Sequence, residues 1–204
     1  SLLKGKTMEM KLKNIAEIYT GFTQRPPEKS VNAFDLKTIQ IKDLTKDQVV
    51  ISKDQWSELE WVYDSNTQYL KYNSIIVVAR GEPRAYVFKG QQLDQVAVSN
   101  QFIVVNLNVD NIKPEFLAWY FNHSQAMRSY FEMNSRGSLL MMLSISTLKE
   151  AEIVIPSMFQ QEEILRLAEE AHNEALIFKQ LTALRAEYNQ AKSEQILVQA
   201  KVAQ

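Results

Sequence analysis

Hydrophobic and polar positions follow one period before Pro156 and another after it. Before Pro156 the apolar residues form short alternating or β-branched runs bounded by turn residues, which is typical of strands. The clearest run, Ile75 to Ala79, is continuous enough to be buried on both faces of a sheet. Other strands are predicted within residues 37–45, 48–52, 96–98, 102–107 and 153–155.

Two further segments belong to this first part of the chain. A short amphipathic segment runs from Lys11 to Gly21, and the Pro26-Pro27 pair then forces an extended loop. The apolar residues able to share one face of this segment are Leu12, Ile15, Ala16 and Ile18. Pro114 lies near the start of a predicted helix, because apolar residues follow it at helical spacing. We therefore predict an α+β fold: a mixed α/β globular domain over residues 11–156, built mainly on strands.

Beyond Pro156 the pattern is that of one long helix. No Pro or Gly occurs between Gln160 and Ala203, so a helix of roughly 60 Å is possible at about 1.5 Å per residue. Its apolar positions step by three and four residues, which is a heptad-like seam with one slip near Leu181. The seam consists of Ile164, Ala168, Ala171, Ala175, Phe178, Leu181, Leu184, Tyr188, Ala191 and Val198. Residues 157–204 are therefore predicted to form a coiled-coil helix that packs against a second helix.

Amino-acid composition limits the classes of protein to which the chain can belong. Hydrophobic residues make up 46% of the 204 and charged residues 23%, as in a globular protein. There is neither an apolar run of the roughly 18 residues that a membrane span needs nor a signal peptide, so a soluble, cytoplasmic protein is expected. The chain has no cysteine, which excludes disulfides and thiolate metal sites. The net charge of −1 argues mildly against nucleic-acid binding.

Candidate catalytic groups are few. His123 and His172 are isolated from other metal-ligating residues, and neither a phosphate-binding glycine loop nor a nucleophile-elbow motif occurs. Acidic pairs such as Glu162-Glu163 lie on the long helix, where a solvated face explains them better. The sequence therefore favours a binding or interaction protein over an enzyme, with no metal and no cofactor.

Four polar loops carry the side chains that read base edges and hold phosphates in DNA complexes. The candidate DNA-binding residues are Thr23, Gln24, Arg25, Arg80, Arg84, Asn100, Gln101, Arg136, Gly137 and Ser138. Gly137 adds the possibility of a close backbone approach to a phosphate. On residue type alone, the simpler interpretation that Arg and Asn populate turns is favoured.

The order of motifs along the chain, however, resembles a target-recognition domain from the DNA-specificity (S) subunit of type I restriction-modification systems. The similar segments are "LKNIAEIYTGFT" at 12–23, "LKYNSIIVVARG" at 70–81, "IKPEFLAWYFNHS" at 112–124 and "SRGSLLMMLSISTLKEAEIVIPSMFQQEEI" at 135–164. Three departures are visible: Asn73-Ser74 replaces the usual Gly-Asp, Ser157 replaces a second proline, and Gln160 replaces a Glu before Gln161. We expect Asn73 to adopt the left-handed conformation that a glycine would.

The resemblance implies a half-length S subunit with one target-recognition domain and one spacer helix. Such a subunit is not catalytic: it binds double-stranded DNA and directs modification (methyltransferase) subunits and a restriction subunit to a bipartite site. A half-length subunit needs a second copy, so we expect an antiparallel homodimer through the helix seam. Such a dimer would read an inverted repeat with a fixed gap. The alternative is a dimeric scaffold without a DNA role, which explains the helix equally well but leaves the order of the polar loops unexplained.

Overall fold

The structure is a computed structural model that describes residues 8–23, 33–45, 48–52, 55–62, 68–134 and 142–202. The chain divides into two compact units, Ser1–Glu162 and Glu163–Gln204, and each is described by itself. Within the described residues, none of the helices combines the length and the apolar character that a membrane span requires.

The first unit contains ten strands in its described part. They are β1 Met8–Lys11, β2 Ala16–Thr20, β3 Ala33–Ile39, β4 Val50–Ile51, β5 Ser57–Val62, β6 Ile75–Val78, β7 Ala85–Phe88, β8 Val96–Val98, β9 Phe102–Leu107 and β10 Glu152–Ile155. The α-helices are α1 Pro114–His123, α2 Gln125–Asn134, α3 Ile145–Glu150 and α4 Met158–Val202, the last of which continues through the second unit. Short 3₁₀ helices span Leu12–Asn14, Ile41–Asp43 and Gln92–Asp94.

The strands form three sheets. The largest has the order β2-β9-β6-β7-β4, and its pairs are antiparallel except for β4 with β7. A second sheet has the order β5-β3-β8, in which β3 and β8 are parallel. β1 and β10 form a separate antiparallel pair, which ties the start of the described chain to the strand before α4.

The main core lies between the five-stranded and three-stranded sheets. Ile76 and Phe88 from the larger sheet and Ile39 and Val96 from the smaller one belong to one buried cluster. α1 packs against β7, and its Phe116 is also buried. All four residues of β6 are buried, because its continuous apolar run is covered on both faces.

Most of the predicted elements are confirmed. Strands occur at 75–78, 96–98, 102–107 and 152–155, α1 begins at Pro114, and the predicted α+β class is correct. The amphipathic segment from Lys11 becomes a 3₁₀ turn followed by β2, and its four apolar residues are all buried. The strand expected within residues 48–52 shortens to Val50–Ile51.

The start of α4 is fixed by two neighbouring glutamines. Ser157 and Gln160 form a capping box: the Ser157 N–H donates to Oε1 of Gln160 (3.0 Å), and the Gln160 N–H donates to Oγ of Ser157 (3.4 Å). Gln161 is fully buried. Its Oε1 accepts from the Lys113 N–H (2.9 Å), and its Nε2 donates to the carbonyls of Asn111 (2.8 Å) and Pro156 (3.0 Å). The two sequence departures at 157 and 160 thus supply a helix cap together.

The second unit is the rest of α4. The long helix predicted after Pro156 is confirmed, and it is uninterrupted from Met158 to Val202. Arg166 forms ion pairs with Glu163 and Glu170, one turn away on either side. Large apolar side chains of the predicted seam are exposed in the single chain, including Phe178 (59%), Leu181 (54%) and Leu184 (62%). These side chains form an exposed apolar row along the described helix.

Candidate nucleic-acid interface

Polar loops converge at one end of the five-stranded sheet, which we call the loop end: residues 21–23, 79–84 and 99–101. The strand register explains why they meet. Thr20 at the end of β2 lies opposite Ile103, and Val78 at the end of β6 lies opposite Phe102 at the start of β9. Because neighbouring strands are antiparallel, the chain leaves β2 and β6 at the same end where it enters β9. Three of the four loops selected from the sequence therefore contribute described residues to one edge.

A close backbone approach joins the first and third of these loops. The Phe22 N–H donates to the Val98 carbonyl (2.9 Å), and the Asn100 N–H donates to the Phe22 carbonyl (2.7 Å). A Cβ on Gly21 would lie 2.0 Å from the Val98 carbonyl oxygen, so only glycine fits there. The glycine of the "TGFT" motif is therefore explained by the close approach of its backbone to that of Val98 and Ser99.

The loop after β6 is held on both sides. The Ala79 N–H donates to the Gln101 carbonyl (2.8 Å), and the Ala79 carbonyl accepts from the Leu143 N–H (2.8 Å). Arg80 forms an isolated antiparallel bridge with Met142. The chain then turns at Gly81, whose φ of 95° lies in the left-handed region. The backbone that carries Arg80 is therefore fixed by two neighbours.

The candidate side chains at the loop end differ in their surroundings. Thr23, Arg80 and Gln101 are exposed, whereas Asn100 is half-buried. Within the described part of the chain, the Arg80 guanidinium has no hydrogen-bonding or ion-pair partner. Arg84 is partly buried and pairs with Glu82 (3.3 Å). Five candidates, Gln24, Arg25, Arg136, Gly137 and Ser138, lie outside the described residues.

Helix α1 reaches the loop end through a contact that the sequence did not suggest. Oδ1 of Asn122 accepts from the Ala85 N–H (2.8 Å), and Nδ2 donates to the Ala85 carbonyl (2.9 Å). The amide satisfies the backbone of β7 beyond the point where the short β4 stops pairing with it. His123, which follows Asn122, and Arg84, which precedes Ala85, are thereby brought close together. Burial lowers the pKa of His123, and the positive charges of Arg84 and Arg128 lower it further.

The opposite end of the sheet, which we call the base end, comprises residues 71–74, 88–90 and 107–113, together with Gln161, whose side chain is bonded to Asn111 and Lys113. A cavity of about 570 Å³ lies there, lined by Lys71, Asn106 and Lys113 among others. Both of its lysines form ion pairs: Lys71 with Glu17 (3.6 Å) and Lys113 with Glu162 (2.7 Å).

The Asn73-Ser74 pair also lies at the base end. Asn73 has a φ of 69°, which confirms the left-handed conformation predicted for it. Ser74 is buried and its hydroxyl donates to Oδ1 of Asn106 (2.7 Å), while also accepting from the Lys71 N–H (2.9 Å). The Ser74 hydroxyl therefore stabilises this turn at the position where the usual Gly-Asp pair would supply an Asp carboxylate. None of these residues was selected from the sequence as a binding residue.

His172 is exposed on α4, far along the chain from His123. Among the residues that the structure describes, no group of three or more His, Asp or Glu is arranged to hold a metal ion.

The described residues thus combine an α+β domain, in which polar loops meet at one end of a sheet, with a long helix that follows Pro156 in the sequence. The family model for the type I restriction modification DNA specificity domain matches residues 5–196. The chain belongs to that family.

Solved structures agree with this fold. The HsdS subunit from Thermoanaerobacter tengcongensis is 17% identical over 89% of the chain, with a TM-score of 0.63. A structure concerning complex assembly and conformational transition of the type I R-M system is 15% identical over 90%, with a TM-score of 0.58. The chain spans only 46% and 42% of those two proteins, respectively. No curated protein sequence matches the chain significantly.

Proposed function

We propose that the chain selects a DNA sequence through its loop end, as the specificity component of a type I restriction-modification complex. The observation that carries this proposal is the convergence of separate polar loops on one exposed edge of the sheet. Arg80, Asn100 and Gln101 offer the donor and acceptor pairs that read guanine and adenine in the major groove. Family membership supports DNA as the ligand of this edge.

In this proposal the chain contributes sequence choice and assembly but no catalysis. Modification subunits carry out the adenine methylation, and a restriction subunit acts on unmodified DNA. The DNA that such a system acts on is in the cytoplasm, which is where we expect the chain to function. The near-neutral charge of the chain agrees with this division of roles between subunits. Partner subunits can supply much of the neutralisation of the DNA phosphates.

The second part of the proposal is an antiparallel homodimer through α4. Between Ala168 and Ala191 the seam positions are separated by 3, 4, 3, 3, 3, 4 and 3 residues. This series reads the same in both directions about the midpoint between Phe178 and Leu181. Two identical helices related by a two-fold axis at that midpoint present matching spacings to each other.

The side chains in this register are complementary in size. Phe178 lies opposite Leu181 of the partner subunit, and the smaller Ala175 and Ala171 lie opposite Leu184 and Tyr188 of the partner subunit. Alternation of small and large side chains lets two helices interdigitate without voids. The slip near Leu181 then marks the centre of the dimer, and two loop ends would read an inverted repeat with a fixed gap.

Selection from a random duplex pool, using the purified chain above its dimerisation concentration, tests the proposal. An enriched inverted repeat with a constant gap is the expected result. A single short half-site would retain DNA recognition and reject the homodimer. If nothing were enriched even with modification subunits present, the non-DNA scaffold would be the better explanation.

Cysteine crosslinking tests the helix register, since the natural chain contains no cysteine. With the two-fold axis between Phe178 and Leu181, the two copies of residue 181 are offset by about 4.5 Å along the helix, and those of residue 168 by about 35 Å. Leu181→Cys should therefore oxidise to a covalent dimer, whereas Ala168→Cys should not. Efficient crosslinking of both variants would indicate a parallel pair instead.

A further inference from the structure

Three basic side chains from different elements meet beside the loop end. Arg84 lies just before β7, His123 ends α1 and Arg128 lies in the second turn of α2. The Asn122 amide, bonded at 2.8 and 2.9 Å to Ala85, fixes the first two relative to each other. The contact joins positions 37 residues apart, so the grouping is produced by the tertiary structure.

The junction of α1 and α2 adds the third basic side chain. The Ser124 N–H donates to the Tyr120 carbonyl (3.0 Å), and the Ser124 carbonyl accepts from the Arg128 N–H (3.0 Å). The chain thus passes from one helix to the next through a single residue, and Arg128 stays close to His123. The influence of both arginine charges on the pKa of His123 agrees with this proximity.

The exposure of these side chains suits an external ligand. His123 and Arg128 are exposed, and the Arg128 guanidinium has no ion pair within the described residues. Arg84 already pairs with the exposed Glu82, so it adds positive potential more than a direct contact. The first turn of α2 contains no acidic residue that would repel an anion. A neutral imidazole can still donate a hydrogen bond to an anionic oxygen.

We propose that Arg84, His123 and Arg128 form a phosphate-binding cluster that holds a backbone phosphodiester of the DNA whose bases the loop end reads. This inference rests on the proposed function for its ligand. Arg84 lies three positions after Gly81, which forms the turn next to Arg80, so the cluster flanks the base-reading edge. A phosphate held there would set the position of the duplex against that edge without carrying sequence information.

The test compares the salt dependence of binding for the full chain and for three variants. Dissociation constants are measured for a mixed-sequence duplex and for the duplex selected by the wild type, at several salt concentrations. For Arg128→Ala we expect the slope of log K against log salt to become shallower by about 0.9, as for one lost phosphate contact. Binding should weaken about two- to fivefold, by the same factor on both duplexes. His123→Ala should change binding in the same direction.

Lys71→Ala is the matched control, since it removes one exposed cation at the opposite end of the sheet. If Arg128→Ala changed the slope no more than this control does, the cluster would hold no phosphate, while sequence selection by the wild type would leave the proposed function intact. A change in the selected sequence would mean that Arg128 reads bases, which also overturns the inference. If the wild type selected no sequence but Arg128→Ala still reduced the slope on the mixed duplex, the cluster would stand and sequence recognition would fail.

Discussion

The two ends of the five-stranded sheet use similar side chains in opposite ways. At the base end, amide and charged groups are bonded to each other or to the backbone: Gln161 makes three hydrogen bonds, and Lys89 contacts both Asn73 (2.7 Å) and Glu115. At the loop end, the backbone is bonded while Arg80 and Gln101 extend into solvent. Residue type alone therefore does not identify a binding residue. What matters is whether the fold already uses its polar atoms.

The difference also assigns roles to the two ends. Polar groups that are satisfied internally stabilise one geometry, which suits the base end, where the segment between β9 and α1 is bonded to Gln161 near the start of α4. Exposed polar groups on a fixed backbone can be matched to a ligand with little loss of conformational entropy. Substitutions at each end test this difference.

The largest expected effect is at the base end. Gln161→Leu keeps the side-chain volume but places an apolar group at a fully buried position and removes the hydrogen-bond partner of the Lys113 N–H and of the Asn111 and Pro156 carbonyls. We expect the free energy of unfolding to fall by about 3 kcal/mol. Chemical denaturation monitored by circular dichroism measures it. The neighbouring Gln160→Ala removes only half of the capping box and should cost about 1 kcal/mol. Equal losses for the two variants would show that the buried amide has no special role.

The next effect concerns the loop end and should appear in binding and not in stability. Arg80→Ala removes an exposed side chain with no partner among the described residues, so unfolding should change by less than about 0.5 kcal/mol. Discrimination at one base pair should fall by about 1–3 kcal/mol, as for the loss of a bidentate contact. Parallel denaturation and duplex selection check both halves. Stability loss comparable with that of Gln161→Leu would remove the distinction between the ends.

Local patterns were sufficient to predict much of the fold. Continuous and alternating apolar runs identified β6, β8 and β9, and the absence of Pro and Gly identified α4. The predicted left-handed Asn73 also follows from a local preference. The short β7, Ala85–Phe88, was not identified because a four-residue apolar run acquires its identity from the strands beside it. The Ser157–Gln160 capping box was readable from its spacing but was treated only as a departure from the family pattern.

The candidate site was harder to predict because it depends on contacts between distant residues. The positions of the polar loops could be predicted from the sequence. That three of them lie at the same end of the sheet follows only from the strand register. No partner lies near His123 in the sequence, because its neighbour Arg84 in the structure is 39 positions earlier. No pattern in the sequence marks Asn122, although its bonds to Ala85 create that neighbourhood. The hydrophobic period of a segment describes a single helix or strand. It therefore contains no information about which helices and strands contact each other in the fold.

The smallest effect lies away from both ends, at Glu150, and it depends on pH. The hydrogen bonds from Lys11 (2.7 Å) and Lys13 (2.6 Å) lower the pKa of this carboxyl from 4.5 to about 2. A carboxyl with a lowered pKa in the folded state stabilises the fold above its unfolded value, and this contribution is lost as the pH falls from about 4.5 towards 2. The pairs are exposed, so the contribution is small.

Glu150→Gln should therefore be slightly less stable than the wild type at neutral pH and equal to it near pH 2. Denaturation curves across that range measure the difference. Glu9→Gln, which removes a carboxyl from β1 that has no ion pair among the described residues, is the matched control. If Glu150→Gln behaved as Glu9→Gln does, the ion pairs of Glu150 with Lys11 and Lys13 would make no contribution to stability.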